Sequence, residues 1–290
     1  MVRSRLIAVP NVSEGRDAAA VGAVAAALAP ARVLDVHSDV DHNRSVFTIA
    51  AQQGDLAQAL VNGARAAIAQ IDMRTHGGSH PCVGALDVAP VVYLDDSQRG
   101  PACAEALTAA ALMADDLELP VFLYGELATR PEHRHRAELR RGGAEGLAGR
   151  IQGGQLVPDF GPRRMHPTAG AVLVAARPPL IAFNVDLVTD DLERARHIAD
   201  GLRESGGGLR GVRAIGLYLP ARGHAQVSLN VEDYQAAPLA VIVERVREQA
   251  EIAEAELVGL APAAALEGFP DDVPLRGFDP ERHLIENALR

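Results

Sequence analysis

Two short loops of this 290-residue chain concentrate histidines and carboxylates: HSDVDH (37–42) and HGGSH (76–80). Such side chains are ligands of catalytic metal ions, and the first loop loosely imitates the H-x-H-x-D-H loop of dinuclear metallohydrolases. The imitation is incomplete, because Asp39 stands where a second histidine is required, and Gly77-Gly78 disfavours a helical pair of histidines. A metal-dependent hydrolase is therefore an alternative, with ligands from His37, Asp41, His42 and His80.

His80 also suits acid–base chemistry that needs no metal. An imidazole, with an ordinary pKa of about 6.5, can take a proton from one nitrogen and give it to another at neutral pH. Pro81 fixes the backbone beside it, and an apolar, strand-like run follows at 86–94. We therefore expect a ring held at the rigid edge of a sheet, where it acts as general base and then as general acid.

Arginines beside glycines could bind the anionic part of a substrate. Arg44 follows Asn43 at the start of a strand-like run, and its guanidinium fork matches a carboxylate. Arg163 and Arg164 lie in GPRRMHPTAG, whose first and last glycines would let backbone amides approach a ligand. The arginine-rich run 134–141 is most simply a solvated helix face, with capture of a polyanion as the other interpretation.

The composition excludes several chemistries. All 28 basic residues are arginines, so no lysine can form a Schiff base, anchor pyridoxal phosphate or complete a Walker A loop. Aromatic residues make up only 3% of the chain and the net charge is −10, which disfavours nucleic acid and acidic membrane surfaces as partners. Two cysteines, no signal peptide and no uncharged stretch of membrane-spanning length predict a cytoplasmic protein.

The elements that must position these loops follow the same order twice. After residue 179 the pattern is strand, helix, strand, strand, helix, strand, the split order of a ferredoxin-like unit. The first half repeats this order with longer loops, then adds a helix near 100–116 and a strand-like run at 121–125. The prolines of Arg177-Pro178-Pro179 stop any regular element. We therefore predict an α/β (α+β) protein with two ferredoxin-like βαββαβ-type subdomains, residues 1–178 and 179–290, each a mixed sheet with helices mainly on one face.

Several longer stretches together resemble one enzyme family. They run in order from about residue 8 to residue 260, and the most specific are HPCVGALDVAP (80–90) and VPDFGP (157–162). On these stretches the chain resembles the glutamate formiminotransferase family. The other matching stretches include VPNVSEGRD, DHNRSVFTIA, PVFLYGELA, LIAFNVDL, IGLYLPARGHAQVSLNVEDY and ELVGL.

The resemblance implies an activity and its substrates. Members are homodimers that transfer a formimino group from N-formimino-L-glutamate to N5 of tetrahydrofolate in histidine degradation. Tetrahydrofolate, with one or several glutamates, is thus the expected co-substrate, and no metal is expected. Only the transferase step is expected of a chain of 290 residues, without a cyclodeaminase domain. Transfer of a formyl group between 5-formyltetrahydrofolate and N-formylglutamate is an alternative, and folate binding without turnover is another.

The resemblance also assigns roles to individual residues. His80 matches the family's acid–base histidine, and we expect the first subdomain to hold this residue and most folate contacts. Animal members carry an aspartate at the position of His37, so Asp39 or Asp41 could supply the carboxylate here. We expect His80, His37 and Arg44 to be catalytic, with Arg44 on a substrate carboxylate, and Asn43 and Asp39 to bind substrate. The segment that would line the folate site comprises Gly161, Pro162, Arg163, Arg164, Met165, His166, Pro167, Thr168, Ala169 (an aromatic in animal members) and Gly170.

Overall fold

A computed structural model describes residues 5–290 of the chain. The chain divides into two units, Met1–Pro178 and Pro179–Arg290, and each unit is built on its own β-sheet. Among the helices of residues 5–290, none combines the length and the apolar character that crossing a bilayer requires.

The first unit contains a seven-stranded mixed sheet in the order β3-β4-β1/β2-β5-β7-β6. Its strands are β1 (Arg5–Ala8), β2 (Asn11–Val12), β3 (Arg32–Asp39), β4 (Arg44–Gln52), β5 (Leu86–Val92), β6 (Val121–Leu123) and β7 (Val172–Arg177). Its helices are α1 (Ala18–Ala27), α2 (Leu56–Gln70), α3 (Arg99–Leu117), α4 (Arg136–Leu139) and α5 (Gly143–Gln152). Both β1 and β2 pair antiparallel with β4 and β5, so they are two parts of one strand, interrupted at Pro10, which has no N–H to donate.

Strand β7 extends this sheet and was not predicted from the sequence. It pairs parallel with β5 on one side and with β6 on the other. Its first five residues are buried, so the strand lacks the alternation of apolar and polar residues that marks a half-buried strand. Because β7 begins just after the loop at 161–170, it attaches that loop to an internal strand of the sheet, between β5 and β6.

Helices cover both faces of the first sheet, but unequally. Helices α1, α2 and α3 form one large core with the residues of β4 that include Phe47 and Ile49. The opposite face has a smaller core at the β5-β7-β6 end, where Leu147 of α5 packs with Phe122 and Leu173. The predicted fold class is confirmed, with α4 and α5 as an addition on the second face.

A side chain of α3 caps the N-terminus of α2. Asp55, at the N-cap position, makes no side-chain capping bond. Instead, the buried Glu105 carboxylate accepts from the Gly54 N–H at 2.6 Å and from the Ala57 N–H at 2.8 Å. A carboxylate at a helix N-terminus satisfies N–H groups that have no partner within the helix, so Glu105 also ties the two helices together.

The second unit has the predicted order of strands and helices. Its strands are β8 (Ile181–Leu187), β9 (Val212–Leu219), β10 (His224–Val231) and β11 (Ile252–Val258), and its helices are α6 (Leu192–Leu202), α7 (Leu239–Arg247), α8 (Pro280–His283) and α9 (Ile285–Ala288). The sheet order is β11-β8-β10-β9, and every pairing is antiparallel, so the mixed sheet predicted for this unit is wrong. Each helical crossover joins strands that are separated by one position, and an oppositely running strand fills that position.

Candidate active site

One face of the first sheet, directed away from α1 and α2, collects polar side chains. Phe47 and Ile49 of β4 lie in the core with these helices. Since side chains alternate along a strand, Arg44, three residues before Phe47, projects from the opposite face. Cross-strand partners share a face. By the strand register, the residues on this face include Asn11 of β2, His37 and Asp39 of β3, and Arg44 and Val46 of β4.

Two side chains, Asn11 and Asp87, bind the Arg44 guanidinium at this face of the sheet. Its Nε donates to Asn11 Oδ1 at 2.9 Å, and its Nη1 donates to Asp87 Oδ2 at 3.1 Å. The side chains of Arg44 and Asp87 are 13% and 1% exposed. Burial, and then the charge of Arg140, lower the pKa of Arg44 to about 10. The guanidinium therefore remains cationic at neutral pH.

Asp87 also binds Arg140, which directly follows α4. The Arg140 guanidinium contacts both carboxylate oxygens, and the Val83 N–H donates to Oδ1 at 2.9 Å. Burial alone would raise the pKa of Asp87, but Arg140 and Arg44 lower it below its ordinary value. The carboxylate is therefore ionised, and two guanidiniums share it. We call these three residues, Arg44, Asp87 and Arg140, the arginine–aspartate cluster.

Arg150 of α5 holds the turn from which Arg140 extends. Its Nη1 donates to the Glu138 carbonyl at 2.7 Å, and its Nη2 donates to the carbonyls of Leu139 and Arg141 at 2.8 and 2.9 Å. The Leu139 and Arg141 carbonyls lie immediately before and after Arg140, and the Glu138 carbonyl lies one residue earlier. Arg150 thus fixes the backbone that directs Arg140 towards the sheet.

His80 lies beside the arginine–aspartate cluster and is partly exposed. Its Nδ1 is 3.0 Å from Arg44 Nη1 and 2.9 Å from the Pro81 carbonyl oxygen. Arginine can only donate, so contact with Arg44 requires an unprotonated Nδ1, whereas contact with Pro81 requires Nδ1–H. Burial, and then the positive charges of Arg44 and Arg140, lower the pKa of His80 well below its ordinary value. The ring is therefore neutral at physiological pH, the form that accepts a proton.

Asn43 joins three loops around this histidine. It adopts a left-handed conformation with φ 48°, which asparagine tolerates better than most residues. Its Oδ1 accepts from the Gly15 N–H at 3.0 Å, and its Nδ2 donates to the Gly77 carbonyl at 3.1 Å and lies 3.3 Å from His76 Nδ1. Asn43 is buried, so its amide organises the loop that carries His80.

The HSDVDH loop closes the turn between β3 and β4. The Asp39 carboxylate accepts from the His42 N–H at 2.8 Å, and the Asp41 carbonyl accepts from the N–H and the hydroxyl of Ser79, both at 3.0 Å. The ring of His42 lies 5.8 Å from that of His80, centroid to centroid. The two predicted histidine loops therefore meet, and the ring beside that of His80 belongs to His42.

The segment 161–170 meets the HPxxGALD motif at its C-terminal end. The Ala85 N–H donates to the Ala169 carbonyl at 2.8 Å, and the Ala171 N–H donates to the Val83 carbonyl at 3.0 Å. Gly170 has φ 75°, and a Cβ there would lie 2.2 Å from the Val83 oxygen, so only glycine fits. Residues of this segment that are exposed include Gly161, Arg163, Arg164 and Pro167.

His166 shapes the same segment from within. Its Nδ1 accepts from the N–H groups of Thr168 at 3.3 Å and Ala169 at 3.0 Å, and its own N–H donates to the Gly170 carbonyl at 3.0 Å. In addition, the Met73 N–H donates to the Thr168 carbonyl at 2.8 Å. The structure thus brings part of the predicted folate segment to the same region as the histidine loops.

Sequence reasoning missed Asn11, Asp87 and Arg140. The arginine-rich run 134–141 predicts a solvated helix face, and this prediction is wrong for Arg140, which is 8% exposed. A run of arginines does not reveal which of them meets a carboxylate from a distant strand. Asp87 carried a usable signal, because a single carboxylate inside the apolar run LDVAPVV (86–92) must find a cationic partner when it is buried.

The alternative of a metal-dependent hydrolase requires a set of metal ligands that lie close together. Within residues 5–290, no three His, Cys, Asp or Glu side chains are grouped so that they could hold a metal ion. The Asp39 carboxylate instead accepts from the His42 N–H within the turn.

Comparison with known proteins gives consistent matches over both units. Residues 5–177 match the family described as "Formiminotransferase domain, N-terminal subdomain", and residues 182–268 match "Formiminotransferase domain". The chain is 37% identical to glutamate formimidoyltransferase of Streptococcus pyogenes serotype M1, with 97% of each chain covered. It is 36% identical to glutamate formimidoyltransferase of Thermoplasma acidophilum, with 97% of this chain and 96% of that one covered. Against formimidoyltransferase-cyclodeaminase of Rattus norvegicus the identity is 36%, over 89% of this chain but 50% of the longer protein.

Proposed function

The chain belongs to the formiminotransferase family, and we propose that it transfers the formimino group of N-formimino-L-glutamate to N5 of tetrahydrofolate. The products are 5-formiminotetrahydrofolate and L-glutamate. Tetrahydrofolate is a co-substrate in this reaction. The near-complete coverage of relatives named glutamate formimidoyltransferase supports the assignment.

The reaction requires two proton transfers at nitrogen. The N5 amine attacks the amidine-like carbon of the donor, and a tetrahedral intermediate forms. The attacking nitrogen must then lose a proton, and the nitrogen of glutamate must gain one, because an unprotonated amine is a poor leaving group. We propose that His80 takes the first proton and supplies the second, a role typically worth about 10²–10⁴-fold in rate.

The surroundings of His80 support this role, and they are the observation on which the proposal rests. Burial and the neighbouring guanidiniums lower the pKa of His80, so the free ring is neutral and ready to accept a proton. Once protonated, the ring lies beside Arg44 Nη1, 3.0 Å away in the free protein, which favours giving the proton up again. A bound carboxylate would offset part of this positive charge and strengthen His80 as a base.

The arginine–aspartate cluster supplies the binding charge. It contains two guanidiniums and one carboxylate and so carries a net positive charge. This charge attracts an anionic substrate more strongly than a neutral one. We propose that Arg44 orients a donor carboxylate and that Asn43, Asp39 and the segment 161–170 shape the substrate and folate sites. In this proposal His37 assists from the same face of the sheet, the active protein is a cytoplasmic homodimer, and light scattering of the purified protein tests the dimer.

The decisive experiment is an assay of the purified protein with tetrahydrofolate and either N-formimino- or N-formyl-L-glutamate. We expect turnover of the formimino donor, and a His80→Ala variant that loses about 100-fold or more in kcat while retaining affinity for tetrahydrofolate. His197→Ala is the matched control, because His197 is exposed on α6 of the other unit. Preference for the formyl donor would replace the proposed donor, and normal turnover by His80→Ala would remove His80 from its role.

A further inference from the structure

The Tyr124 side chain carries a buried hydroxyl that has no role in the proposed proton transfers. Tyr124 follows β6 and is 6% exposed, and within residues 5–290 its hydroxyl has no hydrogen-bond partner. Its N–H donates to the Val174 carbonyl at 3.0 Å, and its ring belongs to the same core as Phe122 and Leu139, so the side chain is fixed. Buried tyrosine hydroxyls are ordinarily hydrogen-bonded, which makes this one unusual.

Tyr93 provides an internal comparison. It is equally buried, at 6% exposure, and lies in the core on the opposite face of the same sheet. Its hydroxyl donates to Glu126 Oε1 at 2.7 Å. The fold therefore gives the hydroxyl of one buried tyrosine a hydrogen-bond partner. The Tyr124 hydroxyl has no such partner among the described residues.

The surroundings of Tyr124 are cationic. The Arg136 guanidinium lies over its ring, with Cζ 6.0 Å from the centroid, and in the part of the chain that the structure describes Arg136 forms no ion pair. Tyr124 also lies near enough to Arg140 to act on the pKa of its guanidinium. Arg136 is in turn close enough to His80 and Arg44 to act on their protonation. The arginines near the Tyr124 phenol therefore also act on the proposed catalytic histidine.

We propose that the Tyr124 hydroxyl and the Arg136 guanidinium form a second carboxylate-binding subsite beside the arginine–aspartate cluster. This inference rests on the proposed function, which supplies ligands that carry more than one carboxylate. An O–H donor next to a guanidinium that has no counter-ion among the described residues offers a carboxylate two donors, one of them charged. The carboxylate can come from the glutamate part of the donor, whose other carboxylate binds Arg44, or from the glutamate tail of tetrahydrofolate.

The first test is equilibrium binding to the Tyr124→Phe variant, measured by calorimetry with L-glutamate and with tetrahydrofolate. We expect the Kd of one of the two ligands to rise about tenfold, the loss expected for one hydrogen bond to a charged group. Without ligand, the thermal midpoint should stay the same or rise, because the fold loses no hydrogen bond. Tyr93→Phe is the matched control, and it should lower the thermal midpoint while leaving both Kd values unchanged.

Monocarboxylate analogues identify the source of the carboxylate. If the subsite takes the donor, Tyr124→Phe should weaken L-glutamate binding but leave either 4-aminobutyrate or 2-aminobutyrate unaffected, since each lacks one carboxylate. If it takes the folate tail, the variant should weaken tetrahydrofolate but not tetrahydropteroate, which lacks glutamate. Arg136→Gln should reproduce the same pattern, and Arg134→Gln, at an exposed position of the same segment, should not.

Binding and turnover separate this inference from the proposed function. Tyr124→Phe and Arg136→Gln proteins that bind both ligands with wild-type Kd values overturn the subsite, whatever the wild-type enzyme transfers. Tyr124-dependent binding in a protein that transfers no formimino group would support the subsite and refute the proposed reaction.

Discussion

The Arg140 guanidinium contacts the Asp87 carboxylate, although 53 residues separate the two in the chain. The same carboxylate accepts from Arg44, so one buried anion fixes two cations that act on His80. The position and the charge state of the proposed catalytic histidine therefore depend on Asp87, which acts through the two arginines that it binds. This dependence can be measured.

Removing the charge of Asp87 should destabilise the protein. In Asp87→Asn, the buried guanidiniums of Arg44 and Arg140 lose their shared anion, and we expect the free energy of unfolding to fall by about 3–5 kcal/mol. Urea unfolding at neutral pH measures this change. Asp72→Asn is the control, because Asp72 forms an exposed ion pair with Arg74 and should leave the unfolding midpoint unchanged. An Asp87→Asn variant as stable as wild type would contradict the account of the cluster.

The pH profile of kcat/KM should report the lowered pKa of His80. The neutral ring is the active form in the free enzyme, so the acidic limb of the profile should lie below the ordinary imidazole pKa of about 6.5. Arg140→Gln removes a nearby positive charge, which makes the protonated ring less unfavourable and raises its pKa. We expect the acidic limb of this variant to move to higher pH, and that of Arg134→Gln to stay in place. A limb that does not respond to Arg140 would show that another group titrates.

The buried pair of His133 and Asp159 should make stability dependent on pH in the acidic range. His133 Nδ1 lies 3.0 Å from Asp159 Oδ2, with side-chain exposures of 0% and 5%. Burial tends to raise the pKa of Asp159, but hydrogen bonds from His133 and Thr129 and from the backbone lower it below its ordinary value. The resulting stability is present above the unfolded-state pKa and is lost as the pH falls through the lower, folded-state pKa.

We therefore expect Asp159→Asn to cost about 2 kcal/mol at neutral pH and progressively less as the pH falls towards about 3. The measurement is the difference in free energy of unfolding between variant and wild type across this range. Asp200→Asn, which changes an exposed carboxylate paired with Arg203 at 2.9 Å, should show a small difference at every pH. A difference that stays constant with pH for Asp159→Asn would refute the assignment.

Gly170 should not tolerate a side chain. Gly170→Ala would place a Cβ 2.2 Å from the Val83 oxygen at φ 75°, so we expect a loss of about 2 kcal/mol or more in unfolding free energy. If the segment 161–170 lines the folate site, the Kd of tetrahydrofolate should rise as well. Gly149→Ala is the matched control, because a Cβ there meets no atom within 4 Å and should stabilise α5 by about 0.5–1 kcal/mol. Equal effects of the two substitutions would count against this description of the turn.

Much of the architecture was predictable because its signals are local. The helix predicted near 100–116 is α3 (Arg99–Leu117), and the six-element order of the second unit was predicted correctly. Apolar periodicity, capping residues and prolines operate over a few residues, so they can be interpreted without the fold. Motifs such as HPCVGALDVAP also indicated the family, which the comparisons confirm.

The direction of strand pairing and the parallel strand β7 needed the structure. An apolar run such as 172–177, buried on both faces, has no alternation that would mark it as a strand, and sequence order alone did not state which strands become neighbours. The prediction of a mixed second sheet failed for this reason.

The amino-acid sequence by itself determined the order of the elements, the absence of lysine chemistry and the choice of His80 as the candidate acid–base residue. Only the tertiary structure decided that Asp87 binds Arg44 and Arg140 and that the Tyr124 hydroxyl has no partner among residues 5–290. The physical reason is distance along the chain. Capping and periodicity are satisfied between near neighbours, whereas the pairing of a buried charge is settled by whichever remote side chain the fold brings within reach.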